Sequence, residues 1–409
     1  MISPLVIGHS YLLERYSTGQ VLRSFFERLT DYGFAPTIVC SKSYHNDVNA
    51  NNLKCNIVPT YDCQPIRYAI ALAKRAIATD FAFLPDYTFF SWAKTSAINK
   101  CVKLAVTGKY DYIHSVSIPC SSHLIAAEVK KQVGIPWIAS FYDPWYENPY
   151  RQIHFQWAKE RDKRYEEYIA KNADIIIHTN HVICEEWIKR YGDIVENKLY
   201  VLPLVFNELS TTKDVPLTKK NKFVISHIGS LYAGRNASDF ICSVNTLLQK
   251  HPEIKSDIEI NFVGTVPNSD KSLVEQYGLS DIIKYVGFIP ENQCISYFTS
   301  SDLFVAIDGK EARDIFFPSK IMKYLYYGKP ILGLSPHNSV LDQELSLSGN
   351  YCFFNEDING ISDFLYKAII SYSSICTNNK QYWEKFSIKN VAIQYQKIVK
   401  QLLSNKAFK

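Results

Sequence analysis

The chain has 409 residues, 47% of them apolar and 21% charged, a globular balance that excludes a disordered or fibrous polypeptide. That length exceeds one ordinary core and predicts two domains of about 200 residues each. A net charge of +5 suits contact with phosphates or an anionic membrane surface. The absence of zinc-finger, RNP and basic-zipper patterns excludes a dedicated nucleic-acid binder.

The ten cysteines are scattered, with no close pair at metal or redox spacing, and read as small buried hydrophobes of a reducing compartment. MISPLVIGHSYLLERYS lacks a basic n-region and a cleavage site, so no signal peptide is expected. No run approaches the ~18 uncharged apolar residues of a spanning helix. A cytoplasmic protein is expected, touching a membrane only from its inner face.

In chain order, short apolar runs alternate with helix-length amphipathic segments, the rhythm of parallel α/β structure. PLVIG from Pro4 reads as a strand, followed by a helix from about Thr18 to Tyr32 and a strand from Pro36 to Cys40. A long helical region runs from Ile66 to Lys103 with a break at Pro85. Strands follow at Tyr112–Val116, Pro136–Phe141, Asp174–Thr179 and Leu199–Pro203, with helices between them. The polar stretch Asn207–Lys222, NELSTTKDVPLTKKNK, reads as an interdomain linker. The rhythm then restarts, with strands at Phe223–Gly229, Ile258–Gly264, Ile282–Phe288, Asp302–Ile307, Pro330–Ser335 and Tyr351–Phe354. Helical pattern closes the chain from about Lys380.

The expected architecture is α/β, two doubly wound Rossmann-like domains facing a cleft. Its divisions are 1–205, a linker over 206–222, a second domain over 223–385, and a C-terminal helix over 386–409 that returns to the first domain.

Two segments of the second domain fit a phosphate. Gly229 ends a strand, where a glycine lets the backbone turn sharply against a ligand, and Arg235 in the loop beyond can offer a bidentate fork. In DIFFPSKIMKYLYYGKPILGL, Pro318 and Ser319 open a helix whose first N–H groups favour an anion. Lys320 adds a cation there, and Lys323 is expected on the same face one turn on. Gly328 ends that helix. A surface arginine after an ordinary turn and a helix that merely happens to be basic are the plainer explanations.

Taken together these motifs resemble the donor-binding domain of GT-B glycosyltransferases, glycosyltransferase family 4 in particular. Val286, Gly287, Phe288 and Pro290, the run Ser301 to Phe304, and PSK…YL..GKPIL all carry the likeness. The resemblance implies a retaining transfer from a nucleotide-diphosphate sugar to a glycan or lipid-linked acceptor, as in lipopolysaccharide and other surface-polysaccharide synthesis. It implies no metal and no cofactor, and no convincing Asp-x-Asp metal motif is present. Family members commonly carry two glutamates eight positions apart, where this chain has Ile315 and Lys323; Glu311 and Asp314 lie just upstream.

In the first half, SIPCSSH (Ser117–His123) and SFYDPWYENPY (Ser140–Tyr150) follow strands, at the edge where such sheets bind ligands. Asp143 is the candidate for orienting or deprotonating an acceptor hydroxyl, against the alternative of a turn carboxylate before Pro144. Trp145 and Tyr146 can stack on a sugar face or simply pack. His114, where a strand ends, is a second catalytic candidate. Gly8, His9 and Gly19 border the loop after the first strand, which places Gly19 at the cleft. The segment Ile66–Lys103 mixes six Lys or Arg residues with FAFLPDYTFFSW, which suits peripheral binding to anionic lipid or an ordinary helix pair with a buried aromatic face. Two rival functions stand: a non-catalytic nucleotide-sugar-binding subunit that docks a partner transferase, and a nucleotide-sugar 2-epimerase of the same fold.

Overall fold

The structure, a computed structural model, describes residues 1–13, 17–44, 53–77, 86–117, 119–146, 148, 153, 155–206, 222–231, 234–310, 315–375, 377 and 379–406. The chain divides into two compact units, Met1–Val205 with Ser387–Lys409, and Phe206–Phe386.

The first unit carries strands β1 (Pro4–Ile7), β2 (Thr37–Ser41), β3 (Asn56–Thr60), β4 (Tyr112–Val116), β5 (Trp137–Phe141), β6 (Ile175–His178) and β7 (Leu199–Val201). They form one parallel sheet in the order β3-β2-β1-β4-β5-β6-β7, with Val6 opposite Ile38 on one side and His114 on the other. Helices α1 (Ser17–Leu29), α2 (Gln64–Ile77), α3 (Ile98–Val106), α4 (Ser121–Val133), α5 (Gln156–Asn172), α6 (His181–Tyr191) and α7 (Asp193–Glu196) connect the strands. Strands β1, β2, β4, β5 and β6 are buried along their whole length, which is why they read as continuous apolar runs rather than alternating ones.

The second unit repeats the scheme. Strands β8 (Phe223–Ile228), β9 (Ile258–Val263), β10 (Ile283–Gly287), β11 (Leu303–Ile307), β12 (Ile331–Leu334) and β13 (Tyr351–Phe353) lie parallel in the order β10-β9-β8-β11-β12-β13. Around them run α8 (Ser238–Lys250), α9 (Asn268–Gln276), α10 (Glu291–Ser300), α11 (Lys320–Tyr327), α12 (Val340–Leu347), α13 (Ile358–Ile370) and α14 (Asn379–Trp383). In each sheet the order reverses direction once, between β1 and β4 and between β8 and β11. A crevice opens at the carboxyl ends of strands beside such a switch.

The chain then returns to the first unit as α15 (Ile388–Lys406). Val391, Tyr395 and Val399, spaced by four, make a buried stripe against Phe26, Phe34 and Ile38. The Tyr395 hydroxyl reaches Tyr112 Oη at 2.8 Å and His114 Nδ1 at 2.6 Å, fastening the last helix to β4.

Two elements differ from the sequence-based expectation. Strand β3 was not foreseen, since Pro59 sits inside it; β3 is an edge strand, where the missing N–H leaves no ladder bond unmade. The long helix over Ile66–Lys103 is instead α2, a nine-residue π-helical segment Phe89–Ala97, and α3. Residues 78–85 of that stretch, and 207–221 of the linker, lie outside the described residues.

Candidate diphosphate site

The site is built where β8 ends. Gly229 has φ +140° and Gly264, just after β9, has φ +130°, both in the region that favours glycine. A Cβ on Gly264 would fall 2.6 Å from the carbonyl carbon and oxygen of Gly229, so the two strand ends meet only because position 264 has no side chain. Gly229 N–H donates to the Val263 carbonyl at 2.7 Å, fixing the turn.

Helix α11 is set against this turn by Tyr324, whose hydroxyl accepts the Ile228 N–H at 2.8 Å and whose ring stacks on Phe304 of β11 at 4.3 Å. Ser319, exposed, leads into the helix, and Gly328 ends it in the left-handed conformation. With α11 held there, Lys320 reaches the mouth of the turn. A Cβ on Gly229 would lie 3.3 Å from Lys320 Nζ, and that nitrogen sits 3.1 Å from His227 Nε2. Burial, with Arg235 nearby, lowers the Lys320 ammonium to about 8, while Asp308 acts in the opposite sense. Arg235 Nη2 lies 3.9 Å from Asp308 Oδ1, and Asp308 Oδ2 accepts from Ser335 Oγ at 3.1 Å. Burial and the same two cations hold His227 well below the ordinary histidine range, so it is neutral. Among the described residues, the Arg235 and Lys320 cations thus meet the buried Asp308 carboxylate at the switch point.

Gly229, Arg235, Ser319 and Lys320 are brought to this end of the sheet. Lys323 is not: its Nζ lies 6.0 Å from the Phe298 ring centroid, over α10. A three-residue step turns a helix by about 300°, leaving the two side chains about 60° apart around the axis and one turn apart along it, and Lys323 uses that offset to lie over α10. Glu311 and Asp314 fall outside the described residues. Sequence reasoning missed His227, Asp308, Tyr324 and Gly264. Only Gly264, after an apolar run as Gly229 is, carried a signal that could have found it.

The first-unit candidates scatter. His114 is buried with both ring nitrogens engaged, Nδ1 by Tyr395 and Nε2 by Ser140 Oγ at 2.7 Å, and burial lowers it to about 3. It is a core residue in this arrangement rather than a presented acid or base. Trp145 is also buried, stacked on Tyr165 at 5.7 Å, which leaves no face for a sugar. Tyr146 donates its N–H to Glu166 Oε2 at 2.9 Å and has the Arg190 guanidinium 5.0 Å from its ring. Asp143 is half-buried in the bend after β5, at the carboxyl edge of the sheet. Gly19 serves packing within the unit: a Cβ there would meet the Leu13 carbonyl oxygen at 1.9 Å.

A second polar cluster in this unit went unforeseen apart from His9. At the ends of β1, β2 and β3, Asp62 Oδ2 accepts from His9 Nε2 at 3.0 Å, Ser41 Oγ at 3.1 Å and Arg67 Nη1 at 3.1 Å. Burial pushes the Asp62 carboxyl up, but the His9 bond and the Arg67 charge outweigh it and hold the group at about 2.

Residues 210–370 match the model of the family described as glycosyl transferases group 1. No curated protein matches the chain significantly in sequence. Among solved structures, HepE from Anabaena in complex with UDP aligns with a TM-score of 0.67 at 12% identity, over 98% of this chain and 100% of that one. Sucrose-phosphate synthase from Thermosynechococcus elongatus gives 0.65 at 14% identity over 99% and 100%. The lipopolysaccharide outer core galactosyltransferase WaaB, in its apo form, gives 0.62 at 10% identity over 98% and 99%. The fold is therefore GT-B. The likeness to the group 1 glycosyl transferase model is thus confined to residues 210–370, which include the strands and helix that build the site above.

Proposed function

We propose that the second unit holds the diphosphate of a nucleotide sugar between Arg235 and Lys320, and that the chain transfers the sugar with retention to a glycan or lipid-linked acceptor of surface polysaccharide. One observation carries this reading: among the described residues, the cations of Arg235 and Lys320 converge at the β8–β11 switch point beside Asp308. UDP bound to the HepE structure of the same fold supports the donor class. As the glycosidic bond breaks, charge builds on the leaving diphosphate, and each preorganised donor aimed at it is worth roughly 3 kcal/mol. In this reading Asp143, half-buried in the bend after β5, orients the acceptor hydroxyl. Retention and the surface-polysaccharide role rest on the family resemblance.

The test is incubation with UDP-, GDP- and dTDP-sugars, with and without glycan acceptors, reading nucleoside diphosphate release and the anomeric coupling of the product by NMR. Release with a product of the donor's configuration supports the reading. Donor epimer in its place makes the chain an epimerase, and binding without turnover makes it a partner subunit.

We place the protein in the cytoplasm, docked peripherally on the inner face of an anionic membrane. Among the described residues no helix is long and apolar enough to cross a bilayer. Tyr68, Leu72 and Phe90 are exposed, as are Lys94, Lys100 and Lys103 on the neighbouring turns, a mixture that suits interfacial binding. Co-sedimentation with vesicles containing phosphatidylglycerol but not with phosphatidylcholine alone is expected; equal sedimentation with both would remove the membrane role.

A further inference from the structure

His227 occupies the last turn-facing position of β8, the strand on one side of the switch point, and Val305 lies on β11, the strand on the other. His227 Nδ1 lies 2.9 Å from the Val305 carbonyl oxygen. A carbonyl only accepts, so Nδ1 carries the proton, and in a neutral ring Nε2 is left with a lone pair. That lone pair meets Lys320 Nζ at 3.1 Å. An ammonium has three donors, and one given to His227 leaves two for a ligand.

We propose that His227 is a positioning residue for the donor site: anchored to Val305 through Nδ1, it uses Nε2 to hold the Lys320 ammonium at the mouth of the Gly229 turn, aimed at the diphosphate. The inference rests on the donor reading above and deepens it. Lysine is a flexible point charge, and fixing its four-carbon stem before a ligand arrives removes entropy that binding would otherwise lose. Among the described residues, the groups that act on the ammonium are His227 from β8, Arg235 from the following loop and Asp308 after β11. Asp308 Oδ2 accepts from Ser335 and Oδ1 lies 3.9 Å from Arg235, and among the described residues His227 is the acceptor within hydrogen-bond distance of Lys320 Nζ.

Asparagine and glutamine separate this role from a structural one. At position 227 an asparagine amide sits at the level of Nδ1 and can keep the Val305 bond, but it ends short of Lys320. Glutamine, one methylene longer, places an acceptor at the level of Nε2. Calorimetry with inorganic pyrophosphate, UDP and GDP should show H227N binding at least tenfold more weakly than the parent and H227Q within about threefold of it. In a K320A background the Asn and Gln variants should differ by less than twofold. H227M, apolar and of similar reach, serves as the second acceptor-less variant should H227N fail to fold, and is expected to behave as H227N does. A parent-like H227N or H227M, or an Asn–Gln difference that persists in K320A, overturns the positioning role alone. A parent chain that binds none of the three probes overturns the donor reading, and this inference with it.

Discussion

Gly264 is the residue on which the geometry of the site turns. Any side chain there meets the Gly229 backbone at 2.6 Å and must adopt φ +130°. Neither penalty can be relieved by a rotamer change, since the obstacle is main chain. G264A is expected to destabilise the protein by at least about 2 kcal/mol, the range of strained backbone positions. Because Gly229 borders Lys320, it should also weaken pyrophosphate binding in protein that remains folded. Urea denaturation and calorimetry at a temperature well below the transition would report the two effects separately. K320A should leave stability nearly unchanged and weaken pyrophosphate or UDP binding roughly 10- to 150-fold, the loss of a charge-assisted bond of about 1.5–3 kcal/mol. Binding unchanged in K320A would empty the proposed site. At this scale legibility was uneven for a physical reason. Gly229, Arg235 and Lys320 stand in local patterns, a strand-ending glycine and a helix start, which sequence displays. His227 and Asp308 matter through partners 78 or more residues away in one case and at a strand end in the other, and no local pattern marks them.

Elements were more legible than residues, because burial on both faces of a parallel sheet writes an apolar run into each strand. Where that rule is broken the reading failed, at Pro59 in the edge strand β3 and at the π-helical segment, whose register departs from a 3.6-residue period. Helix α15 shows what an element can do that its sequence does not announce. Its apolar stripe was visible as helical pattern, yet its partners are β4 and α1 at the opposite end of the chain. Tyr395 is the key contact, stacked near His114 and bonded to both His114 and Tyr112. Y395F keeps the ring and removes one buried hydroxyl that serves two others. An expected cost of about 1–3 kcal/mol follows from leaving a buried group unsatisfied, and His114 Nδ1 is the atom exposed to that loss. Deleting residues 387–409 removes the whole stripe and should leave the first unit with exposed apolar surface, read as strong dye binding and loss of cooperative unfolding. A Y395F protein as stable as the parent would show that a buried water or a shifted side chain replaces the hydroxyl.

At the scale of the molecule, buried histidines are divided unequally, and this predicts how acid acts. The first unit holds His9, lowered by burial against the opposing pull of Asp62, and His114, His123 and His178, each lowered to about 3 by burial, with neighbouring histidines adding to the effect at His123 and Arg190 at His178. The second unit holds His227, also lowered by burial and by Lys320 beside it. In the folded protein these rings stay neutral as pH falls below about 6.5, while in the unfolded chain they take up protons. The unfolded state then binds more protons than the native one, so stability rises with pH between about 3 and 6.5 and is lost as pH falls through that window. One proton is worth 1.36 kcal/mol per pH unit, so the three histidines lowered to about 3 give the first unit an acid slope of up to about 4 kcal/mol per unit, to which His9 adds, against roughly 1 from the second unit's His227. Tryptophan separates the two, since Trp92, Trp137, Trp145, Trp157 and Trp187 lie in the first unit and Trp383 in the second. Urea unfolding followed by tryptophan emission should therefore weaken steeply from pH 7 to pH 5, while a transition followed at a label on Cys242, in the second unit, should move much less. H123F, which removes one titrating ring while filling its space, should lower the slope of the tryptophan transition by about one proton. Equal pH dependence of both probes would mean that the two units unfold together, and an H123F slope equal to the parent's would show that His123 is charged in the native state or neutral in both.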